Sequence, residues 1–251
     1  MSLNEIFDGI FIVSMDCMPE RFLECSTELI RNGITKIEKQ SGVIHNCGKT
    51  VFDREMGCKL SHIEIVKKAK KRGYRNIFIF EDDALFIKPL DDYINKISEF
   101  LQGKDWDLFY LGGNHQTKPI PVNNDFVICT RMLTTHAYGI NSCAFDEILR
   151  YERNELNNPI DGIYADIIQK RKKSYALNPR IVTQKECFSY IRQRVANYDK
   201  YLIDDKEDKQ LKPEKKSMNQ IRAEQNREEQ IKKSYVRILR PVHPLHPKKT
   251  V

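Results

Sequence analysis

Short apolar runs alternate with amphipathic segments along the first 190 or so residues. Each run is only a few residues long and ends at Gly, Pro or charged positions, which is typical of buried strands. The predicted extended segments are residues 9–15, 34–39, 77–80, 106–113, 126–141 and 175–184. The segments with helical spacing of apolar positions are residues 19–33, 58–73, 90–103, 142–152 and 161–172.

The alternation of strands and helices predicts an α/β fold with a mostly parallel sheet. In such sheets, ligands bind at the carboxyl ends of the strands. Residues 41–57 are polar and punctuated by glycine, so we expect a loop there. The composition changes near residue 197, which predicts a folded domain over residues 1–196 and a charged, helical tail over residues 197–251 with a basic, Pro-containing end.

Two interpretations of the tail are open. A charged helix is usually a solvated surface element, and its end can fray. Apolar side chains such as Ile231, Ile238 and Leu239 lie beside basic residues, which also fits peripheral contact with a protein or an anionic membrane surface.

Composition narrows the functional classes. The 251 residues carry a formal net charge of +7, which suits a protein that meets phosphates, nucleic acid or acidic membranes. No window approaches the roughly 18 apolar residues of a membrane span. Glu5 and Asp8 stand where a signal peptide carries basic residues. We therefore expect a cytoplasmic protein whose seven cysteines are reduced, mostly buried thiols and form neither disulfides nor a zinc site.

Three adjacent acids, Glu81, Asp82 and Asp83, follow the apolar run at residues 77–80. Like charges about 4 Å apart repel by about 4 kcal/mol at an effective dielectric constant near 20, so a positive partner or water must compensate them. They could be turn or helix-capping residues. They could equally bind Mn²⁺ or Mg²⁺, because both ions prefer oxygen ligands.

Two further motifs have alternative interpretations. The segment ending in Gly48, Lys49 and Thr50 suggests the phosphate loop of an NTPase, but five residues separate Gly42 from Gly48 where that loop requires four. In "GCKLSH", residues 57–62, Ser61 and His62 fall in the first turns of the predicted helix. Exposed N–H groups there bind anions, or the residues simply cap the helix.

In order, the motifs "FIVSMDCMPERF", "REMGCKLSH", "FIFEDDALF", "DLFYLGG", "THAYGIN" and "NPRIVTQKECFSYI" resemble glycosyltransferase family 25 over roughly residues 9–194. The family includes lipooligosaccharide and collagen hydroxylysine galactosyltransferases. The resemblance implies a GT-A-like nucleotide-sugar-binding fold, a DxD-type metal motif, Mn²⁺ or Mg²⁺, a UDP-sugar donor and a glycan or protein acceptor, with no role for nucleic acid.

The resemblance also assigns residues by position. It implies Asp83, with Asp82, as the metal ligands. Residues implied on the nucleotide and substrate side are Ser14, Arg21, Gly57, Ser61, His62, Glu81, Asp82 and Gln184. His136 is implied near the sugar or the metal.

Transfer with inversion needs a base for the acceptor hydroxyl. Asp161 follows Pro159 at a predicted helix start, where it could face the cleft as that base or act as a plain cap. We expect the helix N–H groups to hold Asp161 ionised. His136 and Asp166 are substitutes. An NTPase and a non-catalytic nucleotide-sugar-binding module remain alternatives.

Overall fold

The computed structural model describes residues 1–152, 158–198 and Leu202. The strands are β1 (Gly9–Ser14), β2 (Glu38–Ser41), β3 (Asn76–Glu81), β4 (Ala84–Phe86), β5 (Leu108–Tyr110), β6 (Asn114–His115), β7 (Ile120–Pro121), β8 (Phe126–Ile128), β9 (Met132–Leu133), β10 (Ala137–Asn141), β11 (Ser174–Leu177), β12 (Val182–Gln184), β13 (Cys187–Ser189) and β14 (Arg194–Ala196).

The α-helices are α1 (Leu3–Ile6), α2 (Pro19–Arg31), α3 (Val51–Lys71), α4 (Ile94–Gln102), α5 (Phe145–Leu149) and α6 (Ile160–Ile163). A π-helical segment, Tyr164–Ile168, continues α6. Short 3₁₀ helices lie at Asn46–Gly48, Leu90–Asp92, Ser142–Ala144 and Gln169–Arg171.

Eight strands form the central sheet, in the order β2-β1-β3-β10-β5-β11-β8-β7. Strands β8 and β10 run antiparallel to their neighbours, so the other six share one direction. The prediction of an α/β fold with a mostly parallel sheet is therefore confirmed.

Helices cover both faces of the sheet, and β3 shows how the pleat divides the core. Phe78 and Phe80 belong to the apolar cluster that includes residues of α2 and α4. Ile77 and Ile79 belong to the opposite cluster, with residues of α3 and α5. Because successive strand side chains point to opposite faces, a continuous apolar run indicates that both faces are covered.

Local differences from the sequence predictions have identifiable causes. α3 begins at Val51, inside the predicted loop, because Thr50 and Asp53 form a capping box at its start. The predicted strand at residues 34–39 lies at Glu38–Ser41. The predicted tail, residues 197–251, lies outside the described residues except for Asn197, Tyr198 and Leu202.

All seven cysteines are free thiols, as expected, but only Cys25 and Cys129 are buried, so the expectation that most are buried was wrong. Within the described residues, no helix combines the length and apolar character needed to cross a bilayer.

Candidate active site

The acid cluster lies where the parallel strands end. Glu81 closes β3, and Asp82 and Asp83 form the turn into β4. Val13 of the neighbouring parallel strand pairs with Glu81, which places the buried Ser14 beside this turn. The sheet thus brings the carboxylates to the edge at which α/β proteins bind ligands.

Arg21 is the cation that meets the acids. Pro19 opens α2, and Arg21 follows in its first turn, where Nη2 forms an ion pair with Asp82 Oδ1 and lies 3.8 Å from Asp83 Oδ2. Its Nη1 donates a 2.6 Å hydrogen bond to the carbonyl oxygen of Phe188. Burial nevertheless raises the pKa of Asp82, although the charge of Arg21 opposes the rise.

Asp83 is the least compensated of the three acids. Burial, together with the charges of Glu81 and Asp82, raises the pKa of Asp83 to about 7. Its Oδ2 accepts a 3.3 Å hydrogen bond from Gln184 Nε2, whereas the buried Oδ1 has no hydrogen-bond partner among the described residues. Adjacent hard oxygen atoms with unmet charge fit a divalent cation such as Mn²⁺ or Mg²⁺, so Asp82 and Asp83 are suited to hold one.

Glu81 has a different environment. Its Oε1 accepts a 2.6 Å hydrogen bond from Thr135 Oγ1 and lies 3.4 Å from Nε2 of the fully buried His62. Burial opposes ionisation, but the interactions with His62 and Thr135 outweigh it, and the pKa of Glu81 is lowered. Glu81 is therefore a carboxylate at neutral pH, next to Asp83.

Gly57 and Ser61 shape the wall of the site. A Cβ atom on Gly57 would lie 2.3 Å from the carbonyl oxygen of Val43, so only glycine allows this close approach. Ser61 Oγ accepts a 2.8 Å hydrogen bond from Val43 N and donates one to the carbonyl oxygen of Gly57. Because α3 starts at Val51, Ser61 and His62 lie in its middle, and the expected anion site in its first turns is wrong for them.

A first cavity, of about 130 Å³, opens against the acids. Most of the residues predicted for nucleotide and substrate binding line it: Ser14, Arg21, Ser61, Glu81, Asp82 and Gln184. The predicted metal ligand Asp83 lines it as well. Gly57 and His62 lie behind this wall and do not line the cavity.

A second cavity, of about 450 Å³, adjoins the first. The residues that line both cavities are Cys58, Glu81, Gln184, Ile191 and Tyr198. Asp161 lines the second cavity and is absent from the first.

Asp161 lies in the first turn of α6, after the N-cap Pro159, so the alternative that it caps this helix was wrong. Its Oδ2 accepts a 3.2 Å hydrogen bond from Thr134 N, and Oδ1 accepts a 2.8 Å bond from Gly162 N. Burial outweighs these hydrogen bonds and raises the pKa of Asp161, with a contribution from the charge of Glu81. The N–H groups favour the ionised form, as expected, but burial has the larger effect, so the pKa of Asp161 lies above that of an ordinary aspartate.

The two substitutes for the base differ in position. His136 is fully buried, lines neither cavity, and its Nε2 lies 3.3 Å from the carbonyl oxygen of Val182. Burial lowers the pKa of His136 to about 4. The prediction that His136 lies at the catalytic site was wrong, because its ring packs in the core. Asp166 lines the second cavity but is paired with Arg131 at 3.1 Å.

The structure contradicts the phosphate-loop interpretation. Thr50 caps α3 and, through its N–H and hydroxyl, donates hydrogen bonds of 2.9 and 2.7 Å to the Asp53 carboxylate. That negative charge occupies the helix start, where the interpretation requires a phosphate. Lys49 is exposed and lines neither cavity.

Several residues of the site were not predicted from the sequence. Arg54 lines the first cavity and donates a 2.8 Å hydrogen bond from Nε to the carbonyl oxygen of Ile191. Arg192 pairs with Glu55 at 3.2 Å, which ties the β13–β14 hairpin to α3. Cys58 was not singled out, although its place in "GCKLSH" puts it one helical turn before His62.

Comparison with solved structures gives low sequence identities. A glycosyltransferase involved in glycosylation of the major capsid of PBCV-1 matches with a TM-score of 0.45 and 11% identity, covering 74% of this chain and 96% of that one. UDP-glucose pyrophosphorylase complexed with UDP-glucose matches with a TM-score of 0.43 and 12% identity, covering 74% of this chain and 79% of that one.

Curated relatives are similar over a shorter stretch. "Inactive glycosyltransferase 25 family member 3" of Homo sapiens is 28% identical over 129 residues, covering 42% of this chain and 22% of that protein. "Procollagen galactosyltransferase 1" of Danio rerio is 26% identical over 136 residues, covering 51% of this chain and 22% of that protein. The matched stretch thus spans about a fifth of each relative's length.

The family comparison covers more than half of the chain. Residues 20–166 match the family described as "Glycosyltransferase family 25 (LPS biosynthesis protein)". This stretch contains Arg21, the α3 wall, the acid turn and Asp161, so it carries most of the site described above. The chain belongs to glycosyltransferase family 25.

Proposed function

We propose that the chain is a metal-dependent glycosyltransferase that moves a hexose, galactose or glucose, from a UDP-sugar to a hydroxyl group on a glycan or a collagen-like protein. The observation that carries the proposal is the acid turn 81–83, which lies at the wall between two adjoining cavities with Asp161 in the second. Family membership supports the reaction class, and the name of the procollagen galactosyltransferase suggests the sugar.

The charges of the first cavity favour metal dependence. Two guanidinium groups, those of Arg21 and Arg54, and the three carboxylates of residues 81–83 line this cavity, so its lining is net negative when all are ionised. Such a cavity repels a diphosphate. A divalent cation at Asp82 and Asp83 reverses the balance and, when bound, neutralises the charge that grows on the UDP leaving group.

The cavity volumes favour a donor that spans both spaces. Ligand pockets usually measure about 300–1,000 Å³, and the first cavity alone, at about 130 Å³, is smaller. The second cavity brings the combined space into that range. In this arrangement the nucleotide lies between Ser14, Arg21 and Ser61, and the hexose lies near Glu81 and Gln184.

The second cavity supplies the acceptor side. Arg131 is paired with Asp166, and Arg192 with Glu55, so Asp161 and Glu81 leave the lining net negative. A neutral or cationic acceptor suits this charge better than an anionic one. Asp161 takes the proton of the attacking hydroxyl, and its raised pKa improves it for that step.

Donor binding is tested first. Thermal unfolding is followed with UDP-galactose, UDP-glucose and UDP-N-acetylglucosamine, each with Mn²⁺ and with EDTA. A ligand at a hundred times its Kd stabilises the fold by about 2.7 kcal/mol. We expect stabilisation by a UDP-hexose that requires Mn²⁺. UDP release in the presence of hydroxyl acceptors then measures transfer.

A second function has one specific observation in its favour. Arg21 is already paired with Asp82 and lies close to Asp83, so it supplies part of the positive charge that a metal ion would supply. This arrangement suits a module that binds nucleotide-sugars without transferring the sugar. The family also contains relatives named inactive. Mn²⁺-independent UDP-sugar binding with no UDP release under any acceptor would favour this module over the transferase.

A further inference from the structure

A second cluster of ligand atoms lies beside the acid turn and is distinct from Asp82 and Asp83. Cys58 Sγ, a ring nitrogen of His62 and a carboxylate oxygen of Glu81 all lie within 4.8 Å of one another. Cys58 and His62 are four residues apart in α3, so both side chains project from the same helical face. Glu81 approaches them from the end of β3.

The environment of His62 can accommodate a cation. The ring is fully buried, and its Nε2 has no hydrogen-bond partner among the described residues, although Glu81 Oε1 is 3.4 Å away. Tyr138 OH lies 2.8 Å from Nδ1 and can accept its proton, passing its own toward Tyr164 OH at 3.1 Å. In that tautomer the lone pair of Nε2 faces Glu81 and is available to a cation between them, whereas in the metal-free protein Nε2 carries the proton and faces Glu81 as a donor while Nδ1 accepts from Tyr138 OH.

The separations suit one small ion. Tetrahedral zinc bonds of about 2.0–2.3 Å to N, O and S keep its ligand atoms about 3.3–3.7 Å apart. The distance of 3.4 Å between His62 Nε2 and Glu81 Oε1 already meets this requirement. Cys58 Sγ, within 4.8 Å of both, needs a shift of about 1 Å, which a small side-chain rotation provides.

We propose that Cys58, His62 and Glu81 form a three-ligand site for a thiophilic divalent cation of the zinc class. A thiolate and an imidazole favour zinc over the manganese expected at the aspartates, which prefers oxygen. A carboxylate and a thiolate together balance the two positive charges of the ion.

The site has the form of an open zinc centre. Three protein ligands leave a fourth position, as in zinc sites that bind water or substrate. Cys58 and Glu81 both line the two cavities, so that position faces the junction between them. Thr135, which donates to Glu81, and Tyr138, which holds His62, provide the outer hydrogen bonds that orient metal ligands.

Binding has a defined proton balance. Burial raises the pKa of the Cys58 thiol well above its usual range, so the free site carries a neutral thiol. Zn²⁺ adds to the sulfur and displaces its proton, giving a Cys58 thiolate–Zn²⁺ bond and one released H⁺ per ion.

The test uses the full chain after removal of metals with a chelator. Titration with Co²⁺ is expected to give a thiolate-to-cobalt charge-transfer band and tetrahedral d–d bands that saturate at one equivalent, with one proton released, and Zn²⁺ is expected to abolish them. Cys58→Ser should remove the charge-transfer band and weaken binding at least about 100-fold, since even outer hydrogen bonds contribute about 10–100-fold.

Matched variants separate this site from its neighbours. Cys143→Ser replaces an exposed thiol near Asp107 and should leave the titration unchanged. Asp83→Asn should also leave the cobalt bands in place, because they do not depend on the proposed manganese site. Tyr138→Phe should keep the bands and weaken binding about 10–100-fold.

A measurement on the unsubstituted chain avoids any dependence on variant folding. Alkylation is carried out at alkaline pH and for long enough to modify Cys58 in the metal-free chain, as located by peptide mass spectrometry. Under those conditions Zn²⁺ should protect Cys58, while the exposed Cys17 should be modified equally with and without the ion. Absence of a thiolate band at stoichiometric Co²⁺, a band that persists in folded Cys58→Ser, or equal alkylation of Cys58 with and without Zn²⁺ would overturn the proposal. Sugar transfer is not used as a readout, so failure of the proposed function leaves this test intact.

Discussion

Arg21 forms an ion pair with Asp82 and lies 3.8 Å from the nearest carboxylate oxygen of Asp83. The contact joins the first turn of α2 to the turn between β3 and β4. One guanidinium therefore compensates part of the negative charge that a divalent cation would compensate fully. Any cation that binds the aspartates has to share them with Arg21 or displace it.

Arg21→Gln is expected to strengthen Mn²⁺ binding in the absence of nucleotide. Loss of a nearby positive charge removes repulsion of the metal, and we expect about a 10-fold gain, or about 1.4 kcal/mol. Gln is shorter than Arg, so the hydrogen bond to the carbonyl oxygen of Phe188 is lost with the charge, and thermal unfolding of the variant is measured as a control for the fold. Calorimetric titration with Mn²⁺ measures the change; weaker binding in the variant would mean that Arg21 supports the metal.

Asp83→Asn is expected to abolish most Mn²⁺-dependent UDP binding while the fold survives. The substitution keeps the shape of the side chain and removes one charge from the proposed ligands. Asp92→Asn, at an exposed acid beyond β4, is the matched control and should bind UDP normally. Titration calorimetry with UDP and saturating Mn²⁺ compares the two. Equal UDP affinity in Asp83→Asn and the control would remove Asp83 from the metal site.

The folding stability of the metal-free protein should depend on pH in a way that reflects the titration of Asp83. Its pKa is about 7 in the folded protein and about 3.8 in an unfolded chain, so the folded state binds the proton more tightly. The stability contributed by Asp83 is therefore fully present below about pH 4 and is lost as the pH rises to about 7.

Buried histidines act in the opposite direction in the same pH range. The pKa values of His115 and His136 are lowered to about 4 by burial, so folding stability from these residues rises with pH. The difference between wild type and Asp83→Asn cancels these contributions. Urea unfolding from pH 4 to 8 should show that the variant gains stability relative to wild type as the pH rises. A constant difference would contradict the raised pKa.

The sequence predicted the features that depend on local pattern. The apolar run at residues 77–80 identified β3 because a strand covered on both faces shows no polar alternation. The acids followed at the carboxyl end, where a parallel sheet exposes its turns. Arg21 and Gln184 were tied to this site only through the family resemblance, since they come from elements far apart in the sequence.

Other features depend on long-range packing, which the pattern does not encode. The early start of α3 is an exception, because its signal was local: Thr50 is followed three residues later by Asp53. The glycine-rich surroundings obscured that signal. The burial of His136 had no local signal in the sequence, because its ring lies against β12, which is distant in sequence. Likewise, Cys58 and His62 meet Glu81 only once α3 packs on the sheet.

Lys49→Ala is expected to leave nucleotide affinity within a few-fold of wild type. Lys49 is exposed and lines neither cavity, whereas a phosphate-loop lysine grips the phosphates. Thr50→Ala is the comparison variant. It removes the N-cap of α3, so it should lower the free energy of unfolding by about 1 kcal/mol. Binding of UDP and ATP is measured for both variants, and a large loss of ATP affinity in Lys49→Ala would restore the NTPase alternative.

Asp161→Asn is expected to lower sugar transfer at least 100-fold with little change in UDP-sugar binding, because loss of a general base typically costs about 10²–10⁴ in rate. The variant keeps an amide oxygen that can accept from Thr134 N or Gly162 N, and no helix cap is lost because the N-cap of α6 is Pro159.

Stability shows whether the fold survives the substitution. The neutral amide removes the cost of ionising a buried carboxylate but leaves one of the two backbone N–H groups without its acceptor, so we expect the free energy of unfolding to change by about 1 kcal/mol or less at neutral pH. Asp166→Asn is the control within the same cavity; it breaks the exposed pair with Arg131 and should reduce transfer only a few-fold. If Asp161→Asn keeps transfer within a few-fold while Asp166→Asn loses it, the base is Asp166, and Asp161 serves only to hold Thr134 against the start of α6.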